Sequence, residues 1–203
     1  MPRSKSFSPD DVVDRAMRTF WENGYEGTSV QLLVETTGIN RFSMYQAFGD
    51  KRGLFQRVLD HYYDNVLARI IRLSERPEGG LDTIRLYFEA LAMTLTSSIG
   101  RLGCLGQNTG IELAFRDPGA VQPLRDMYDA LADNFDAAIR SAIRRAEAPD
   151  GTATADVARY LVTVAQGMIL MARTAGDHHY IRSTERQVYS FLDRLRSTGE
   201  RAR

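Results

Sequence analysis

Between Thr28 and Lys51, in the run TSVQLLVETTGINRFSMYQAFGDK, two short segments of helical pattern flank one glycine. No other stretch limits the fold as tightly. Ser29 to Thr36 reads as a helix with Val30, Leu33 and Val34 inward, and Thr28 as its cap, because a hydroxyl can take a free backbone N–H of the first turn. Gly38 supplies the turn, since a sharply ended helix needs a residue at ease with positive φ. Ile39 points back to a core, Asn40 caps again, and Arg41 to Phe48 forms a second short helix. Two such helices on a glycine-containing turn make the unit that lays its second helix in the major groove of DNA.

The residue types of that second helix suit the task. Met44 and Phe48, four apart, face inward, which leaves Arg41, Phe42, Ser43, Tyr45 and Gln46 to cover the remaining surface. Arg41 stands at the N-terminal end, where base edges are approached, and arginine is the commonest reader of guanine. Phe42 matches a thymine methyl. Ser43, Tyr45 and Lys51 suit phosphates, which set register without reading sequence. Helix N-termini add backbone donors for the same anions.

Gly24-Tyr25-Glu26-Gly27-Thr28-Ser29-Val30, then Thr37-Gly38-Ile39, then Ser43-Met44-Tyr45-Gln46-Ala47-Phe48-Gly49-Asp50-Lys51, closely resembles the N-terminal domain of TetR-type regulators. The resemblance covers about residues 8 to 60. It implies an all-helical homodimer that binds double-stranded operator DNA and releases it on binding a small molecule. It also implies phosphate contacts at Tyr45, Lys51, Thr28 and Ser29. Two departures bear on the operator sequence: Phe42 stands where many members carry glycine or another small residue, and Leu32 where a polar residue is usual.

Lys and Arg together number 26, as do Asp and Glu, so no global positive field exists and a DNA-coating role is disfavoured. Residues 1 to 60 also balance acids and bases, so affinity is expected to need two half-sites engaged at once. The single cysteine, Cys104, excludes an intrachain disulfide framework and suits a reducing cytoplasm. Met1 to Ser6 is followed by no apolar segment of the kind a signal peptide needs. Tyr160 to Ala172, the most apolar run, is short for a membrane span and is interrupted by Thr163, Gln166 and Gly167, so no membrane role is expected.

Residues 1 to 7 read as an arm, with Arg3 and Lys5 either touching DNA or serving only solubility. Ser8-Pro9-Asp10-Asp11 is a helix start, Val12, Val13, Ala16, Met17 and Phe20 follow at helical spacing, and Asn23-Gly24 stops them. Trp21 reads as a packing residue. From Asp50 a long helix runs through Leu54, Phe55, Val58, Leu59, Tyr62, Val66, Leu67, Ile70 and Leu73 to the breaker Arg76-Pro77-Glu78-Gly79-Gly80. The fold class is therefore all-α, with a helix-turn-helix domain over 1–52 and a helical ligand-binding and dimerisation domain over 53–203. Five helices are expected in the second: Leu81 to Ile99, Cys104 to Phe115, Val121 to Ala146, Ala153 to Thr174 and Ser183 to Ser197, with a frayed tail after Thr198.

Ala165, Gly167, Met168 and Ala172 on the fourth of these helices, with Val188, Phe191, Leu192 and Leu195 on the fifth, suggest a dimeric four-helix bundle; the same stripes would also complete a monomer core. Gly103 to Glu112 combines glycines, amides, a hydroxyl, an acid and the cysteine. Gln107, Asn108 and Glu112 are candidate polar groups of a ligand pocket, and Tyr87, Phe88, Leu91, Met127, Tyr128, Leu131, Met168 and Met171 its candidate walls. The same polar groups equally suit capping or structural bonds.

Cys104 at a helix start is either a thiol sensor of oxidants and electrophiles or an inert buried residue. Asp177-His178-His179 is too sparse for a metal site, no cofactor fingerprint is present, and the three histidines, His61, His178 and His179, lack evident partners. A ligand-responsive repressor is thus favoured over an enzyme, and over a helical adaptor without DNA binding.

Overall fold

The computed structural model describes residues 8–201, with side chains through residue 196. Arg3 and Lys5 lie outside the residues so described, whereas the last helix runs on to Arg201, past the Thr198 after which a frayed tail was expected. Helices run α1 Pro9–Asn23, α2 Val30–Thr37, α3 Arg41–Phe48, α4 Lys51–Tyr62, α5 Ala68–Ile71, α6 Leu81–Leu95, α7 Leu105–Leu113, α8 Pro118–Arg144, α9 Thr154–Thr174 and α10 His179–Arg201. No strand occurs among the described residues.

Two compact units result. The first joins residues 1–66 to 105–122, and the second joins 67–104 to 123–203. This division differs from a single boundary at residue 52, because residues 105–122 return to the first unit. Leu54, Phe55, Val58, Leu59 and Tyr62 bury one side of α4 within the first unit, and α7 returns to pack on α1 and α4. The long helix expected from Asp50 to Leu73 is also interrupted: Tyr63–Leu67 forms a π-helical turn between α4 and α5. Its extra residue rephases the helix, so burial steps five residues, from Tyr62 to Leu67. The chain passes between units again inside α8, next to Pro123, whose missing N–H weakens the helix ladder there.

In the first unit Phe20 meets Phe55 edge-on at 4.9 Å, and Tyr25 meets Phe55 at 4.8 Å. Trp21 packs edge-on against Tyr62 at 5.0 Å, the structural role its sequence setting suggested. His61, expected to have no partner, pairs its Nε2 with Asp14 at 2.8 Å, tying α4 to α1. In the second unit Tyr87 meets Phe135 edge-on at 5.1 Å and Phe88 stacks on Phe135 at 6.2 Å, joining α6 to α8. Asn134 donates to Ser74 Oγ at 3.0 Å, and Arg173 to the Leu102 carbonyl at 2.9 Å.

The stripes expected to form a dimer face lie mostly inside this unit. Ala165, Met168 and Ala172 of α9, with Val188 and Leu192 of α10, are buried in its core, which corrects their assignment. Phe191 and Leu195 are half-buried. The outer side of α9 instead carries Tyr160, Leu170 and Met171, all exposed, around Gly167, where an added Cβ would meet open space. The Tyr160 ring leans on Phe191 at 5.8 Å. Among the described residues α9 is the one helix long and apolar enough to cross a membrane.

Candidate nucleic-acid interface

Local chemistry builds the helix pair. Ser29, not Thr28, caps α2: its Oγ accepts the Leu32 N–H at 3.1 Å. Gly38 ends α2 at φ 74°, ψ 4°, the left-handed conformation, and its N–H donates to the Val34 carbonyl at 3.0 Å. Arg15 of α1 donates to the Thr37 carbonyl at 3.0 Å, which satisfies another free acceptor of that helix end. Asn40 Oδ1 then caps α3 by accepting the Ser43 N–H at 2.8 Å, and Asp50 Oδ1 caps α4 through the Gly53 N–H at 2.7 Å.

Met44 anchors α3: it is fully buried, and Ile39 is buried just before the helix. At about 100° per residue, Arg41, Tyr45, Phe42 and Gln46 fall next to one another on the opposite side. All four are exposed, Phe42 by 76% and Tyr45 by 43% of its surface. Ser43 and Phe48 are half-buried at the flanks. The helix therefore presents one guanidinium, one amide, one phenol and one phenyl ring on a single rigid arc.

Two residues expected on phosphates do something else. Thr28 is completely buried, and its hydroxyl donates to the Gly24 carbonyl at 2.6 Å, so it cannot reach an external anion. Lys51 Nζ donates to the carbonyls of Tyr25, at 3.0 Å, and Thr28, at 3.1 Å, and lies 4.2 Å from the centre of the Tyr25 ring. Of the three N–H groups of an ammonium, two are committed to the α1–α2 turn. Ser29 stays exposed, and while its oxygen accepts the cap bond its O–H remains a donor.

Glu112, expected among pocket groups, belongs to the first unit and grips this same turn. Its Oε2 accepts the Tyr25 N–H at 2.9 Å and its Oε1 the Glu26 N–H at 2.7 Å. Gly24, at φ +74°, makes room: a Cβ there would lie 2.8 Å from Glu112 Oε2. Arg52 with Asp117 at 2.8 Å, and Arg116 with Glu26 at 3.6 Å, add ion pairs within the same unit. Gln107 and Asn108 also fall in this unit. Sequence reading missed the grip because a glutamate 87 residues from its partner carries no local signal.

In the second unit, Tyr87, Phe88, Leu91, Leu131 and Met168, expected as pocket walls, are all buried core residues. Met127 and Tyr128 are half-buried, while Met171 faces outward on α9. Cys104 is buried close to Tyr87 and Tyr128. Burial, and secondarily the neighbouring Cys104, pushes the Tyr128 phenol up to about 12 and Tyr87 further still. A thiol buried beside two phenols lacks the open surroundings in which cysteines react most readily.

Residues 12–58 match the family model described as bacterial regulatory proteins, tetR family, and residues 80–188 match the tetracyclin repressor-like C-terminal domain. The HTH-type transcriptional repressor ComR of Escherichia coli is 31% identical over 172 residues, covering 84% of this chain and 82% of that protein. The HTH-type regulator YezE of Bacillus subtilis is 30% identical, covering 87% and 92%. Among solved structures, a cysteine-substituted CifR complexed with 26 bp double-strand operator DNA superposes with a TM-score of 0.79 at 24% identity, covering 93% of this chain and 100% of that one. A regulator from Chloroflexus aurantiacus reaches 0.81 at 18% identity, covering 91% and 93%.

Proposed function

The chain belongs to the TetR family of bacterial transcriptional regulators, and from that premise we propose that it is a homodimeric repressor released from operator DNA by a small molecule. The observation that carries this reading is the exposed arc of Arg41, Phe42, Tyr45 and Gln46, held out by the buried Met44. Arg41 donates to guanine, Gln46 to a base or phosphate edge, and Tyr45, Ser43 and Ser29 hold phosphates. The third N–H of Lys51 reaches another phosphate while the other two keep the turn in place. With no net positive charge, useful affinity comes from two half-sites held by one two-fold protein.

The dimer face in this reading is the outer side of α9, where Tyr160, Leu170 and Met171 surround Gly167 and let a second α9 approach closely. An apolar helix with one side buried in its own subunit and the other exposed is then covered by a partner copy rather than by lipid. The effector enters the second unit beside Tyr87, Phe88, Leu91, Leu131, Tyr128 and Cys104. It shifts the population between DNA-fitting and non-fitting arrangements. No catalytic step is involved, and the protein works in the cytoplasm, where its DNA lies.

The test is selection of genomic fragments by the purified full chain, followed by mobility shift on the fragments recovered. Enrichment of one two-fold sequence, with nanomolar binding that falls steeply with salt, is expected. Equal retention of all fragments would overturn the reading.

A further inference from the structure

Phe42 stands on the outward arc of α3 with 76% of its surface exposed, at the second position of the helix. A phenyl ring has neither donor nor acceptor. It therefore gains nothing from a phosphate oxygen and cannot read the polar edge of a base pair. The apolar feature that the major groove offers is the 5-methyl group of thymine. Left in water, an exposed ring of this size on a DNA-reading surface costs solvation that an apolar partner would recover.

The ring is also well placed to make a fixed contact. The Asn40 cap bond and the buried Met44 hold the backbone of α3, so Phe42 has only its own two torsions to order. Arg41 precedes it and Tyr45 lies almost one turn on, so a phosphate-held and guanine-held helix brings the ring to a base step between them. On the reading that α3 enters the major groove, we propose that Phe42 is a specificity-determining residue that packs on the methyl of one thymine in each operator half-site.

The test uses the full-length dimer and the operator recovered by selection. Each thymine is replaced in turn by deoxyuridine, which removes the methyl and keeps every base-pair hydrogen bond. At one thymine per half-site the replacement should weaken wild-type binding about fourfold, the worth of one buried methyl. Replacement in both half-sites should weaken it about fifteenfold. Phe42→Ala, measured at concentrations suited to its own affinity, should bind the thymine and deoxyuridine operators equally. Phe42→Leu should retain the thymine preference.

Deoxyuridine without effect at any position, in an operator that wild type still selects, overturns the assignment to Phe42 and leaves the DNA-binding reading intact. A thymine preference undiminished in Phe42→Ala also overturns it. Absence of any sequence-selective DNA binding by wild type overturns the parent reading and this inference with it.

Discussion

Glu112 holds Tyr25 by its backbone: Oε2 accepts the Tyr25 N–H at 2.9 Å while Oε1 accepts from the next residue at 2.7 Å. A helix from the middle of the chain thus clamps the turn between α1 and α2. Lys51 binds the carbonyl side of the same turn. A carboxylate and an ammonium together satisfy a short loop that has no regular structure of its own.

Replacing Glu112 by Ala leaves two N–H groups without their charged acceptor. Hydrogen bonds to a charged group contribute about 1.5–3 kcal/mol each, and part is recovered by water at this half-exposed site. A loss of about 2 kcal/mol is expected, read as a lower urea midpoint. Operator affinity should fall with it, because the start of α2 is no longer fixed. Unchanged stability would show that the clamp contributes nothing.

Arg41 and Tyr45 should fail differently. Arg41→Ala is expected to cost about 1–3 kcal/mol and to relax preference at one base pair of each half-site. Tyr45→Phe removes only a hydroxyl and should weaken binding to all sequences alike. Competition with operator variants separates the two, and identical behaviour of both would contradict the roles assigned.

The outer side of α9 and the buried side of α10 make opposite predictions. A charge on the outer side, Leu170→Glu, should convert a dimer to a folded monomer by light scattering. A charge in the core, Val188→Glu, should instead unfold the second unit, since an unpaired buried carboxylate costs far more than a surface one. Monomeric wild-type protein at micromolar concentration would sink the dimer reading.

Alkali should destabilise the chain over a defined range. Burial first, with Cys104 second, raises Tyr128 to about 12, and burial first, with Glu185 second, raises Tyr189 to about 12. In the unfolded chain both phenols ionise near 10. Between pH 10 and about 12 the unfolded state holds fewer protons, so stability is flat below pH 10 and falls as pH rises through that window. Urea midpoints across pH 8–12 measure this, and Tyr128→Phe should reduce the slope.

The helix pair was legible from residue order because its determinants are local. A cap acts within three residues and Gly38 acts on its own φ, so α2, the turn and α3 emerge from twenty consecutive positions. The displacement of the cap from Thr28 to Ser29 is a shift of one residue, settled when Thr28 turned its hydroxyl to the Gly24 carbonyl. The inward and outward sides of α3 follow from the helical period alone.

Contacts distant along the chain left no such trace. Glu112 looked like a pocket group because its neighbours are glycines and amides, yet folding carried it to residues 25 and 26. Ala165, Met168, Val188 and Leu192 have the small and apolar character that serves a dimer seam and a monomer core equally well. Which of two apolar sides faces its own subunit depends on how α6, α9 and α10 pack, and periodicity cannot choose between partners. Local hydrogen bonding and side-chain period are written in the order of residues; the assignment of each face to a neighbour is a property of the packed whole.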